Sequence, residues 1–238
     1  MKKLTTAVLL ITVIAGTTSC KKDLVGEGPV TTETRTVANF SAIDLQMNGN
    51  VYYKQEANWR VEVTAKESIH SLLETSVINN TLVIKYRNGK KYDADPSIRI
   101  NVSGPGVNGL MLNTSGSIIC TNDIATGNLY LRTSGSGDIT LKKVVADHID
   151  AESTVSGRIT ATAGDVISEK LKTDGSGKID LEGVDANNVS ARIIGSGDIT
   201  VNVSDKLDAT IDGSGSIYFS GYPLITTHIH GTGRLIRF

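Results

Sequence analysis

The sequence predicts an all-β fold, a parallel β-helix or β-solenoid, and three observations carry that expectation. Seven turn-and-strand segments of a Gly-Ser-Gly type recur at steps of 21, 20, 20, 20, 18 and 18 residues, measured between the glycines at 116, 137, 157, 177, 197, 215 and 233. Around each turn, apolar or small residues alternate with polar ones, the period of a strand with one buried and one wet face. No helical period persists in residues 110–238.

The chain opens with Lys2 and Lys3, continues with an uncharged run from Leu4 to Gly16, and reaches the small residues Thr17, Thr18 and Ser19 before Cys20. A basic head, a short apolar stretch and a small-residue cleavage region form a secretory signal, expected over residues 1–19. The run is shorter than the roughly 20 residues that span a bilayer. Residues 20–35 are polar, without sustained period, and read as a flexible tether. A single domain is expected over residues 36–238.

The first half of that domain is less regular but also β. Phe40, Ala42, Ile43 and Leu45 lead to the turn Met47-Asn48-Gly49-Asn50, and strands follow at Val51-Tyr52-Tyr53 and Arg60 to Thr64. One helical turn is expected within Glu67–Leu73. Thr75 to Tyr86 reads as a hairpin over Asn79-Asn80. This half is expected to form the first coils and cap one end, because the terminal coil of a solenoid exposes unpaired backbone.

The second half holds the repeats: Ser115-Gly116-Ser117-Ile118, Ser136-Gly137-Asp138-Ile139, Ser156-Gly157-Arg158-Ile159, Ser176-Gly177-Lys178-Ile179, Ser196-Gly197-Asp198-Ile199, Ser214-Gly215-Ser216-Ile217 and Thr232-Gly233-Arg234-Leu235. One unit cannot bury its apolar face alone. Stacking in register places Ile139, Ile159, Ile179 and Ile199 in one interior ladder, with coils about 4.8 Å apart. The recurring corner needs positive φ or a missing Cβ, hence glycine.

Two resemblances add to this reading. Thr17-Thr18-Ser19-Cys20 resembles the lipobox of bacterial lipoproteins, departing from it at Thr17, where an aliphatic residue is usual. It implies that Cys20 is acylated and tethers the protein to a membrane, each buried methylene contributing about 0.8 kcal/mol. Phe40-Ser41-Ala42-Ile43-Asp44-Leu45, Gly49-Asn50-Val51, Val61-Glu62-Val63-Thr64-Ala65, Asn80-Thr81-Leu82-Val83-Ile84 and the following Gly-Ser-Gly-Asp-Ile repeats resemble the putative auto-transporter adhesin, head GIN domain family over about residues 36–220. That resemblance implies a secreted or lipid-anchored envelope protein with a β-helical core and no established activity. The carboxy-terminal translocator barrel of a true auto-transporter is not expected here.

Composition narrows the chemistry. With 24 Lys+Arg against 25 Asp+Glu, evenly mixed, no basic stripe for nucleic acid is present. Calcium β-rolls need a carboxylate at one turn position in successive coils. That position here reads Ser117, Asp138, Arg158, Lys178, Asp198, Ser216, Arg234, so neither a metal nor another cofactor is expected. Glycoside cleavage needs two carboxyls about 5–10 Å apart across a groove, and no position accumulates acids beside sugar-stacking aromatics. His228 and His230 share one face of a strand without further ligands nearby and read as solvent-facing. Cys120, one of two cysteines, reads as a small core residue. Phe238 reads as a packed end.

The densest aromatic cluster, Tyr218, Phe219 and Tyr222 with Pro223, is either a lid over the last coil or a contact surface for a partner, a glycan or a second copy. The function expected is that of a lipid-anchored envelope protein of the outer membrane, periplasmic or surface-facing. It would act as a binding or adhesion module through its Thr, Ser, Asp and Asn ladders. The alternatives are a structural, self-associating envelope protein and, behind both, a polysaccharide-processing enzyme.

Overall fold

Each glycine step returns the chain to the same corner, and strand residues in between continue the ladder of the coil below. The computed structural model describes residues 26–87 and 98–238. The signal segment, Cys20 and the first part of the expected tether lie outside the described residues.

The elements are β1 (Val30–Arg35), β2 (Ala42–Leu45), β3 (Asn50–Gln55), β4 (Arg60–Lys66), the short helix α1 (Glu67–His70), β5 (Leu73–Ile78) and β6 (Thr81–Tyr86). They continue with β7 (Arg99–Gly104), β8 (Gly109–Leu112), β9 (Ser117–Thr133), β10 (Asp138–Ser153), β11 (Arg158–Ala161) and β12 (Gly164–Gly175). The last are β13 (Lys178–Gly195), β14 (Asp198–Gly213), β15 (Ser216–Ser220), β16 (Leu224–Gly231) and β17 (Arg234–Arg237). Pairing from β8 onward is parallel throughout, the signature of a β-solenoid, here of about six turns.

The coil is three-sided. Along β10 the in–out alternation breaks twice, at Lys142-Lys143 and at Asp147-His148, where two successive residues face outward. Those breaks are corners, and the third corner is the Ser-Gly turn. On the first side the expected ladder forms. Ile118, Ile139, Ile159, Ile179, Ile199 and Ile217 pair residue on residue, each almost wholly buried. Val51 of β3 carries the same ladder into the first half.

The glycines act in two ways. A Cβ on Gly157 would lie 2.6 Å from the Gly137 carbonyl oxygen, so Gly157 stacks on that corner only because it lacks a side chain. Gly195, two residues before the corner glycine Gly197, has φ 111°, a left-handed conformation that L side chains resist.

The first half forms one coil and a cap. The hairpin β5–β6 turns over Asn79 and Asn80, with φ 49° and 60°, as the type of turn at a two-residue hairpin requires. The helical turn falls at Glu67–His70. One expectation is corrected: Val30–Arg35 is not tether but a strand, paired antiparallel with β4 from Val30↔Lys66 to Arg35↔Val61. Arg35 Nη2 donates to the His70 carbonyl at 3.0 Å and meets Glu33 Oε2 at 3.0 Å, fastening this strand over the first coil. Among the described residues the opposite end has no such cover. Every residue of β16 is exposed, and Phe238 is exposed rather than packed.

Candidate binding face

Side chains facing outward on the first side of the coil form register columns, because the ladder that aligns the isoleucines aligns their neighbours too. One column runs Tyr52, Ile119, Thr140, Thr160, Asp180, Thr200, Tyr218. Six steps of about 4.8 Å set its two tyrosines roughly 29 Å apart, and the column continues past them to Asn101 and Ile236. The adjacent column holds Asp138, Arg158, Lys178 and Asp198.

A hollow lies at each end. Near the carboxy-terminal end a hollow of about 500 Å³ is lined by Arg158, Thr160, Lys178, Asp180, Thr200 and Tyr218, among others. Lys178 Nζ meets Asp198 Oδ2 at 3.1 Å, and the same aspartate accepts the Ser216 amide at 3.1 Å. Its charge is therefore compensated in place, while the Arg158 guanidinium, on the coil below Lys178, adds positive charge to the rim. Near the other end a hollow of about 210 Å³ includes Tyr52, Arg60, Glu62 and Arg99. Arg99 stacks on Tyr52 with its guanidinium carbon 3.6 Å from the ring centre. Beside it the Lys54 ammonium, bonded to Glu56, holds that carboxyl below its usual range.

The aromatic cluster read from sequence divides. Tyr218 faces outward in the column. Phe219, one residue on, points into the core and is 4 % exposed, because β17 lies over β15 at Phe219↔Arg237. Tyr222 is 85 % exposed at the far corner, with the Arg237 guanidinium 3.6 Å from its ring centre. The three are thus neither one surface nor a lid, since the last coil continues beyond them. Strand alternation separates Tyr218 from Phe219, and Tyr222 follows the chain around a corner.

Tyr52 was missed, although a signal for it exists. Gly49-Asn50-Val51-Tyr52 has the same order of corner, turn residue, inward aliphatic and outward residue as Gly197-Asp198-Ile199-Thr200. The remaining expected positions are as follows. Cys120 is buried, and burial pushes its thiol up to about 12. His228 and His230 face solvent, His230 Nδ1 lying 3.1 Å from Asp212 Oδ1. Among the described residues no three His, Cys, Asp or Glu side chains gather to hold a metal, and no helix is long and apolar enough to cross a membrane.

One more outward region is a groove of about 690 Å³ at the second side, with exposed Val145 and Ile167 beside Asp147, Asp165 and Asp185. Asp185 accepts the Asn202 side-chain amide at 2.5 Å.

Solved structures share this architecture. A putative adhesin from Bacteroides fragilis superposes with a TM-score of 0.81 at 27% identity, over 89% of this chain and 98% of that one. A putative lipid binding protein from Parabacteroides distasonis gives 0.73 at 25%, over 90% and 98%. A putative adhesin from the same species gives 0.76 at 22%, over 90% and 98%, a likeness of fold. No curated protein matches the chain. The family described as putative auto-transporter adhesin, head GIN domain, matches residues 39–223, most of the chain and nearly all of the solenoid. The chain belongs to the putative auto-transporter adhesin, head GIN domain family.

Proposed function

We propose that this protein is a binding or adhesion module of the cell envelope, held to the outer membrane through acylated Cys20, and that its ligand is an extended glycan lying along the first side of the solenoid. The observation that carries the reading is the column from Tyr52 to Tyr218. Aromatic rings offer flat faces to sugar rings, Tyr52 on the side not stacked by Arg99, and after Ile119 the residues Thr140, Thr160, Asp180 and Thr200 offer hydroxyl and carboxylate partners at the coil repeat. A linear polymer suits such a surface better than a compact molecule, because the hollows are shallow and widely spaced. The family name points to adhesion at the cell surface, and the Bacteroides fragilis relative is described as a putative adhesin.

A glycan array probed with the full chain, followed by titration of the best binder, tests this. Tyr218→Ala should weaken binding about tenfold, equivalent to roughly 1.4 kcal/mol, with the melting temperature nearly unchanged. Binding that survives Tyr218→Ala and Thr200→Ala together would place the ligand elsewhere. Membrane fractionation of cells carrying Cys20→Ser or the unaltered chain tests the anchor: the variant should leave the membrane fraction.

A further inference from the structure

The two ends of the solenoid are built differently. At the amino-terminal end β1 and β4 run antiparallel over the first coil. At the other end the ladder stops at β16, whose pairing with β14 occupies one edge only. Ile225, Thr227 and Ile229 continue the interior columns of Leu207, Ala209 and Ile211, which are wholly buried one coil below. Among the described residues nothing covers them: Ile225 and Ile229 are more than 40 % exposed, and Leu224 is 81 % exposed. A bare apolar edge of this kind is a template for strand addition.

We propose that the terminal coil docks on the terminal coil of a second copy of this chain, with β16 pairing antiparallel to its counterpart about a dyad through Thr227. Three features point to that occupant. The first is the direction of its free hydrogen-bonding groups. Tyr130 N–H donates down to the Asn108 carbonyl, and the register carries that position through Asp150, Lys170, Ser190 and Asp208 to Thr226. Alternation along the strand therefore aims the amides and carbonyls of Ile225, Thr227 and Ile229 at the open side. These are the three inward-facing residues.

The second feature is that this trio is symmetric about Thr227. Antiparallel pairing sets Thr227 against Thr227 and Ile225 against Ile229, so apolar meets apolar, and all three pairs are of the hydrogen-bonded kind. A dyad perpendicular to the sheet keeps both sets of side chains on the interior side, giving one continuous core through the joint. The third is closure: an isologous contact of this type ends at two copies. The terminal coil supplies close to the roughly 20 residues per side of a standard interface.

The full chain carrying Thr227→Cys, oxidised in detergent extract and run without reductant, tests the register. Two cysteines at a hydrogen-bonded pair lie about 5.5 Å apart at Cα, within disulfide reach. A covalent dimer is expected well above the level of the unaltered chain, and Leu224→Cys, whose counterpart lies about 20 Å away, should form none. No dimer at Thr227→Cys, or equal yields at both positions, would overturn the proposal. Because side chains at the open edge are already exposed, Ile225→Lys should leave the melting temperature in place. It should raise the dimer dissociation constant at least tenfold in sedimentation velocity. A chain that sediments as a monomer at every concentration would overturn it as well.

Discussion

Glu169 takes, one coil on, the interior place that Ile149 fills: the two are paired in register between β10 and β12, and Glu169 is 2 % exposed. Val189 follows it on the next coil. Among the described residues neither carboxylate oxygen has a hydrogen-bond partner, and burial pushes the group up to about 8. The folded protein thus holds a neutral carboxylic acid in an aliphatic column at neutral pH, at a cost in stability.

The pH dependence follows from that placement. Unfolded, Glu169 ionises near 4.3; folded, it stays protonated to about 8. The unfolded state releases its proton first, so stability falls as pH rises from about 4.3 to 8 and is level above. The total is on the order of 5 kcal/mol, with about 4 of it lost between pH 5 and pH 9. Urea unfolding at pH 5 and pH 9 should show this loss in the unaltered chain and not in Glu169→Gln. Glu169→Val, which matches the next coil, should be the more stable at pH 9. Equal pH dependence in Glu169→Gln and the unaltered chain would contradict the assignment.

Glycine at the stacked corner is a steric requirement. Gly157→Ala puts a methyl group 2.6 Å from both the Gly137 carbonyl and Thr133 Oγ1. The backbone must shift, and a loss of about 3 kcal/mol or more is expected, in the range of severe core changes. Gly127→Ala is the control, since its Cβ would meet only Asp147 Oδ2 at 3.5 Å. Its melting temperature should stay within about 2 °C of the unaltered chain, a shift well below 1 kcal/mol.

Cys120 should be chemically silent. Its thiol is buried and raised to about 12, so at pH 8 the reactive thiolate is scarce and screened from reagent. Iodoacetamide followed by peptide mapping should leave Cys120 unmodified in the native chain and modify it fully in 6 M guanidinium. Rapid native labelling would show that the column beneath Leu141 is open.

Removal of β1 should uncover β4. A chain beginning at residue 36 loses the pairing of Val30–Arg35 with Val61–Lys66 and the Arg35–His70 contact. A melting temperature lower by several degrees and concentration-dependent aggregation are expected, whereas a chain beginning at residue 26 should behave as the full chain does. Equal behaviour of the two would return residues 30–35 to the tether.

What the sequence made legible and what it hid differ for physical reasons. The corner glycines, the Ile139–Ile199 ladder and the Asn79-Asn80 hairpin are local or strictly periodic, and all three stand in the structure. β1 was hidden because Val30 to Thr34 expose every side chain; a strand with no buried face has no alternation to read, and its partner lies some 30 residues away. Glu169 was readable in principle: the 20-residue step from Leu129 through Ile149 to Val189 points to it. It escaped because the glycine column of its side, Gly175, Gly195, Gly213 and Gly231, begins only on its own coil and lies six residues further along the strand. The binding face was half visible. Tyr218 was noticed as part of a local cluster, but its alignment with Tyr52, more than 160 residues away, depends on every intervening coil.

The central claim is that successive corners stack so that their isoleucines share one interior. Double-mutant cycles measure this directly. Ile159 and Ile179 are neighbours in the ladder, so Ile159→Ala and Ile179→Ala together should depart from additivity by about 0.5–3 kcal/mol. Ile159 and Ile217, three coils apart at about 14 Å, should be additive within about 0.5 kcal/mol. Additivity in the first cycle, equal to that in the second, would contradict a stacked solenoid.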